Sequence, residues 1–303
     1  MSATTREPTA DPLFAGPPAR RPAYATGILL DAGDFLDEQT YHRGRLARAV
    51  WALSGGGTLA GLRVSHRPEE EEREEEIRVG GGLAVDRLGR LVEVPRTACL
   101  RLSRWWSATF ASDEGDTLLR AAYEDPGRFL GERAAGAAGT DDLPAVPARA
   151  VVADVFVRFV ACEEGLTPAF ASGPYDALDA ASVSRLRDAY ELVLVPREGL
   201  DDDFDGLPPR GDPPADPQAR REAVEDAVLD GWPPNGLGGG SDALPPLPEH
   251  PVGLDPTAVF VGRILVPVGA GSPVERDGAG VVVDNWTRRF VPSIRLLRQL
   301  IGT

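Results

Sequence analysis

The segment Tyr24–Val64, YATGILLDAGDFLDEQTYHRGRLARAVWALSGGGTLAGLRV, carries the strongest structural signals in the chain. Asp34 is a suitable N-cap, and Asp37 lies in the first turn, where a carboxylate interacts favourably with a helix N-terminus. Apolar residues then recur at helical spacing until a run of three glycines. The predicted apolar face consists of Phe35, His42, Leu46, Ala49, Val50 and Leu53. The segment therefore predicts a long helix that leads into a strand at Leu59–Val64.

Antiparallel strands are predicted after this helix. Leu59–Val64 and Ile77–Val79 flank a connection that contains seven glutamates between Glu69 and Glu76. Leu83–Val85 and Leu91–Val94 flank a good hairpin turn. Further strands are predicted at Val151–Val160, Tyr190–Val195, Ala258–Val268 and Gly280–Val283. Further helices are predicted at Asp176–Arg187, from Asp216 to Leu229, and at the C-terminal stripe Phe290, Ile294, Leu297 and Ile301.

These elements predict an α+β fold, with antiparallel β-sheets and packed helices. Residues 1–22 are predicted to be a disordered arm rather than a signal peptide, because they lack an apolar stretch after a basic start. Residues 23–196 form the predicted α+β core with its β-hairpins. Residues 197–256 are rich in proline, glycine and aspartate, which predicts a surface insertion with one short helix. Residues 257–303 supply strands and a C-terminal helix that complete the core.

The charge composition excludes several classes of function. The net charge is −15, and every one of the 32 basic residues is an arginine. An acidic chain without a basic patch is a poor candidate for binding nucleic acid or an anionic membrane. The absence of lysine rules out a P-loop, Schiff-base or kinase lysine. No apolar run is long enough to cross a bilayer, so we expect a cytoplasmic protein with no membrane insertion. Cys99 and Cys162 are expected to be reduced and buried.

No constellation of residues indicates catalysis. The three histidines are scattered, and His42 is expected to be a core or interface residue rather than a ligand. The chain has no nucleophile with a neighbouring base in a known motif. The runs Gly55–Gly57, Gly80–Gly82 and Gly238–Gly240 lack the spacing of phosphate loops, so turns and linkers explain them. We therefore predict no catalytic residue, no cofactor and no metal ligand.

Three acidic or aromatic features leave other interpretations open. Asp201, Asp203, Asp205 and Gly206 match the start of a calcium loop, with Asp212 at its last position, which suggests a calcium-responsive adaptor. Against it, prolines interrupt the loop. Exposed tryptophans at Trp105–Trp106 and Trp232 would suit a carbohydrate-binding or hydrolytic tail accessory. The glutamate-rich connection is expected to be a solvated loop, or a docking site for an arginine-rich partner.

The ordered motifs of the first third of the chain resemble a family of bacterial proteins. They comprise the Tyr24–Leu46 run, the Gly-Leu-x-Val at Gly61–Val64, the Leu-Ala-Val-Asp at Leu83–Asp86 and the Gly-Arg at 89–90, with a weaker match at Ser184–Leu194. Proteins with this pattern are encoded beside phage-tail-like contractile injection systems, among baseplate and tail-associated genes. The opening is more distantly similar to the N-terminal shell part of type VI secretion baseplate subunits and of phage receptor-binding proteins.

The resemblance implies a setting in a large contractile particle and a fold of strands with packed helices. Together with the absence of catalytic motifs, it predicts a non-enzymatic structural or assembly component at the baseplate or another accessory position. Its expected partners are other particle subunits, namely baseplate, sheath, tube or spike proteins. The predicted interface residues are Tyr24, Phe35, Tyr41, Arg45, Arg48 and Trp51 near the first helix and Arg288, Arg295 and Arg298 on another face of the last helix. For the apolar members, packing in the core of the chain itself is the competing explanation.

Overall fold

The structure is a computed structural model that describes residues 21–110, 116–168, 181–209, 211–232, 244–271 and 274–301. The helices are α1 (Ala32–Ser54), α2 (Leu102–Phe110), α3 (Asp116–Ala121), α4 (Glu132–Ala137), α5 (Pro217–Leu229) and α6 (Ile294–Ile301). The strands are β1 (Gly57–Gly61), β2 (Val64–Arg67), β3 (Glu76–Val79), β4 (Gly82–Val85), β5 (Leu91–Val94), β6 (Ala98–Arg101), β7 (Ala122–Glu124), β8 (Arg149–Pro168), β9 (Ala181–Pro196), β10 (Val259–Pro267) and β11 (Val282–Asp284).

The strands form three antiparallel sheets. The largest has the order β11-β10-β8-β7, and β9 pairs with β8 beyond the end of β7. The smaller sheets have the orders β1-β4-β5 and β2-β3-β6. Helices and antiparallel sheets together confirm the predicted α+β class.

The core lies around β8 and β10, the central strands of the largest sheet. Every residue of β10 is buried, and β8 is buried from Ala150 to Val157. Both strands are rich in valine and other β-branched residues, which fit a pleated surface covered on both faces. One cluster of buried side chains extends from these strands to β2, β3, β4 and β5, so the smaller sheets pack on the largest one.

Several predicted elements are confirmed. The hairpin β4–β5 turns at residues 86–89, and β2–β3 form a second hairpin around the glutamate-rich connection. The strands predicted at Ala258–Val268 and Tyr190–Val195 correspond to β10 and to part of β9. Helix α5 starts after Asp216 and ends at Leu229, as predicted. Two predicted segments, 1–20 of the arm and the glycine run 238–240, lie outside the described residues.

The helix predicted at Asp176–Arg187 is wrong from residue 181 onward, while residues 176–180 lie outside the described residues. Residues 181–187 continue β9, which pairs with β8 as far as Pro168. Opposite charges face each other across this hairpin, with Arg158 opposite Glu191 and Glu164 opposite Arg185. Cross-strand pairing of this kind favours the strand over the local helical pattern.

The single strand predicted at Leu59–Val64 is divided at Leu62, which has a φ of 55°. The chain leaves one small sheet here and enters another. The amide group of Asn285 holds Val64 through two hydrogen bonds of 2.8 Å, to its N–H and its C=O. Tertiary hydrogen bonds therefore stabilise a backbone turn that strand propensity does not predict.

Candidate interaction surface

Helix α1 begins at a complete capping box. The Asp31 carboxylate accepts hydrogen bonds from the N–H groups of Gly33 (2.8 Å) and Asp34 (3.1 Å). The Asp34 carboxylate in turn accepts a 2.9 Å bond from the Asp31 N–H. The N-cap is therefore Asp31, three residues before the predicted Asp34, and each aspartate satisfies a backbone donor of the other. The helix ends at Gly55, as predicted.

Helix α1 rests on the β4–β5 turn along a narrow line. Ala47 is the one buried residue among the 23 of the helix. The backbone of Gly89 approaches so closely that a Cβ there would lie 1.9 Å from the Ala47 carbonyl oxygen. The turn itself is held by the buried Asp86 carboxylate, which accepts from the N–H of Leu88 and from the guanidinium of Arg90. A rigid turn thus supports a helix that buries little of its own surface.

The apolar face predicted for α1 points away from the body of the protein. Phe35 is 53% exposed, Leu46 59% and Leu53 88%. His42 and Ala49 lie on the same stripe and are also exposed. His42 is therefore not a core histidine; it lies 3.8 Å from Glu38 one turn earlier. A long exposed apolar stripe on a capped helix is typical of a surface that another protein covers.

The other predicted residues near α1 occupy its flanks. The Tyr24 hydroxyl donates a hydrogen bond to Glu38, and this bond raises the pKa of the tyrosine. The Arg45 guanidinium lies 5.8 Å from the centroid of the half-buried Tyr41 ring. Arg48 is half-buried, and Trp51 packs edge to face on another tryptophan. None of these side chains lies within the exposed stripe, and Trp51 is on the side of α1 that faces the Gly89 turn.

Helix α5 adds a second exposed apolar surface next to α1. None of its residues is buried, and its C-terminal end exposes Val224, Val228 and Leu229. Trp232, which follows this helix, is 63% exposed and meets Trp51 at a ring-centroid distance of 6.1 Å. The C-terminal end of α1 is thus in contact with the residue Trp232 that follows α5.

The C-terminal helix starts later than predicted, at Ile294, so Phe290 and Arg288 precede it. The prediction that Arg288 lies on this helix is wrong. Its guanidinium is buried and donates to the carbonyl of Leu62 at 2.7 Å and to the side chain and carbonyl of Asn285. Burial lowers the pKa of Arg288 to about 10. This arginine secures the division between β1 and β2 and is not an exposed interface group.

Arg295 and Arg298 are exposed on α6, as is the apolar side chain of Ile294. The segment before α6 pairs with β1, where the Thr58 N–H donates to Arg289 at 2.8 Å and the Thr58 carbonyl accepts from Val291 at 2.9 Å. Because β1 directly follows α1, the C-terminal end of α1 and the start of α6 lie near each other. Among the residues predicted near α1, those toward its C-terminal end are therefore nearest to α6, whereas Phe35 lies near the opposite end of the 23-residue helix.

A buried ionic network, which the sequence analysis did not single out, joins the core to residues 197–256. Arg263 and Asp154 are completely buried and form a bidentate pair with N–O distances of 2.7 and 2.9 Å. Arg197 reaches the same carboxylate at 3.2 Å. Burial lowers the pKa of Arg197, and the Asp154 carboxylate opposes that change. The network has a sequence signal, since Asp154 and Arg263 each interrupt an apolar strand and such charges must be paired.

The same arginines hold backbone carbonyls of the segment 197–256. Arg263 donates to the carbonyls of Asp205 and Gly206, and Arg197 donates to that of Glu249 at 2.6 Å. The Glu249 carboxylate also receives two bonds from Arg289. Both ends of the predicted surface insertion are therefore anchored in the core, while its helix α5 remains exposed.

The glutamate-rich connection is only partly solvated. The Glu75 carboxylate is buried and accepts hydrogen bonds of 2.8 Å from His66 and from Arg276. Desolvation opposes its ionisation, but the hydrogen bonds from His66 and Arg276 and the charge of Arg276 outweigh it and lower the pKa of Glu75 to about 2. The connection is thus fixed from within the chain at this point, whereas Glu69, Glu71 and Glu72 are exposed.

The tryptophans that suggested carbohydrate binding and the aspartates that suggested calcium binding occupy different environments. Trp105 and Trp106 pack against the core, and the Trp105 indole donates to the Leu194 carbonyl at 2.8 Å, so neither ring is a free sugar platform. Asp201, Asp203 and Asp205 are exposed. Across the described part of the chain, no three His, Cys, Asp or Glu side chains are grouped closely enough to hold a metal ion.

The sequence predicts that both cysteines are buried. Cys99 is exposed rather than buried, and Cys162 is half-buried. His250 is buried, and its Nε2 lies 2.8 Å from the Ala258 carbonyl oxygen; burial lowers its pKa. Over the described ranges, no helix combines the length and the apolar content that crossing a membrane requires.

Comparison of the chain with known protein families finds no matching family, and comparison with curated proteins finds no significant match.

Proposed function

We propose that this chain is a non-enzymatic assembly subunit that binds neighbouring protein subunits through the exposed face of α1. The observation that carries the proposal is the orientation of the apolar stripe Phe35, His42, Leu46, Ala49 and Leu53. A helix on a protein surface normally turns such a stripe toward the core, because burying one leucine or phenylalanine stabilises by about 1.5–3 kcal/mol. Among the described residues the stripe stays exposed, so a partner that covered it would gain this stabilisation.

The support of α1 fits this role. The helix is capped at its N-terminus and held against a turn whose aspartate is buried and fully hydrogen-bonded. A rigid, preformed helix loses little conformational freedom when it binds, which favours association. Arginines border the stripe, and the planar guanidinium suits pairing with carboxylates on another subunit.

As the setting we propose a bacterial phage-tail-like contractile injection particle, assembled in the cytoplasm, with the chain at the baseplate or an accessory position. This part of the proposal rests on the resemblance of the Tyr24–Val64 motifs. Its partners would be baseplate, sheath, tube or spike proteins.

The test is co-sedimentation of the purified chain with contractile particles that lack it. We expect the wild type to sediment with the particles and the double variant Leu46→Asp, Leu53→Asp to remain in solution. Both leucines are exposed, so the double variant should fold with a free energy of unfolding within about 0.5 kcal/mol per substitution of the wild type. Leu119→Asp, at an exposed leucine of α3, is the matched control and should sediment normally.

Two results would count against the proposal. If the double variant sedimented as completely as the wild type, α1 would not be the assembly surface. If the wild type itself failed to sediment with any of the particle fractions, the proposed setting would be wrong.

A further inference from the structure

The charged residues on one flank of α1 are segregated along its length. Asp34, Asp37 and Glu38 lie in its N-terminal half, and Arg45 and Arg48 lie in its C-terminal half. At 100° per residue, these five positions fall within about 100° of one another, beside the exposed apolar stripe. The flank is therefore acidic at one end and basic at the other.

Such a flank is complementary to itself only when two helices run in opposite directions. In an antiparallel pair, the same flank of each helix lies next to that of its neighbour, so the acidic half of one faces the basic half of the other. In a parallel pair this flank would lie beside the opposite flank, where Leu36, Arg43 and Val50 are found. There Glu38 would meet Arg43, but Arg45 and Arg48 would find no carboxylate.

The apolar stripe has the spacing that such a pair requires. Phe35, His42 and Ala49 repeat every seven residues, and Gln39, Leu46 and Leu53 form a second series with the same repeat. These two series are the seam positions of a two-stranded coiled coil. The register that places Glu38 beside Arg45 of the second copy also places Phe35 on Leu46 of that copy. It sets Gln39 against His42, a polar layer of the kind that specifies register.

We propose that the chain forms a symmetric dimer in which the α1 helices of two copies pack antiparallel along this stripe. The proposal rests on the proposed function, because it names a second copy of the chain as the partner that covers the same face. The contact is isologous, so each Glu38–Arg45 pair occurs twice. A polar layer at its centre and few large apolar residues make it a modest interface that forms at micromolar concentrations of the chain.

Charge reversal tests both the partner and the direction of the helices. Glu38→Arg and Arg45→Glu should each weaken the dimer by about tenfold or more, since each places like charges opposite one another twice. The double variant E38R, R45E restores both pairs only in the antiparallel arrangement. We expect its dimer dissociation constant to lie within about threefold of the wild-type value.

Glu71→Arg is the control, because it reverses the charge of an exposed side chain in the β2–β3 connection and alters no residue of α1. It should leave the dimer unchanged. Sedimentation equilibrium of each variant gives the dissociation constants. A wild type that is monomeric at micromolar concentration overturns the inference, as does a double variant no tighter than the single ones. If the monomeric chain still co-sedimented with particles through Leu46 and Leu53, the inference would fail while the proposed function would stand.

Discussion

Substitution of Asp154 by asparagine should destabilise the fold strongly. Asp154 is completely buried and faces two buried arginines, Arg263 at 2.7 Å and Arg197 at 3.2 Å. The asparagine keeps the shape of the side chain and removes its charge, so two guanidinium groups remain in the core without the carboxylate that pairs with both of them. Breaking a buried pair in this way typically costs about 3–5 kcal/mol.

The expected loss of about 3–5 kcal/mol corresponds to a change of roughly two to three and a half orders of magnitude in the folding equilibrium, at 1.4 kcal/mol per tenfold. Equilibrium denaturation with urea, followed by tryptophan fluorescence, measures this difference. Arg197→Met should cost less, because Asp154 and Arg263 remain a balanced pair after that change.

The matched control is Glu191→Gln, which also removes one partner of an arginine–carboxylate pair between neighbouring strands. Glu191 and Arg158 are partly exposed, so water screens them and the expected loss is at most about 1 kcal/mol. If Asp154→Asn cost no more than this control, the reasoning that burial determines the cost would be refuted.

Two further predictions concern the support of α1 and the acidic connection. In a thermal unfolding assay, Gly89→Ala should destabilise the protein by more than about 1 kcal/mol, because φ is +83° and the new methyl group meets the Ala47 carbonyl. Its control is Gly136→Ala on α4. A methyl group there enters open space, so this variant should be as stable as the wild type or more stable. The pKa of Glu75 is about 2 in the folded protein, against an ordinary value of 4.5. Ionisation of Glu75 therefore stabilises the fold above pH 4.5, and this contribution is lost as the pH falls toward 2. The stability difference between wild type and Glu75→Gln should therefore be largest above about pH 5 and disappear near pH 2, and a difference independent of pH would contradict the role of the carboxylate.

Local patterns predicted the elements whose signals are local. The apolar periodicity and glycine stop of α1, the Asp-Pro start of α5 and the turn at residues 86–89 depend on neighbours in sequence, so they appear correctly in the structure. The helix expected at residues 181–187 failed because pairing with β8 is a contact between distant parts of the chain. Tertiary pairing of this kind overrides local propensity.

The direction of the apolar stripe could not be predicted from its periodicity. The repeat of Phe35, Leu46 and Leu53 shows that one face of α1 is apolar, but it is the same whether that face meets the core or a partner. The small residue Ala47, on another side of the helix, allows its backbone to approach the turn at Gly89 closely. Small residues carry little hydrophobic signal, so the sequence left packing in the core and packing at an interface as competing explanations for the apolar face.

Arg288 and Arg263 illustrate a different limit. Arginine is usually exposed, and the sequence gives no direct sign of which arginines will donate to backbone carbonyls inside the fold. Arg263 stands out only because its strand is otherwise apolar, whereas Arg288 lies among polar residues and has no such signal.

The acceptors that fix residues 197–256 are mostly main-chain oxygens, contributed by Asp205, Gly206, Pro245, Glu249 and Pro256. A carbonyl remains in place whichever side chain its residue carries. Helix α5, which is exposed between these anchor points, can therefore accumulate substitutions or accept an inserted peptide without loss of the attachment. This makes α5 a suitable place for an affinity tag or a fluorescent reporter.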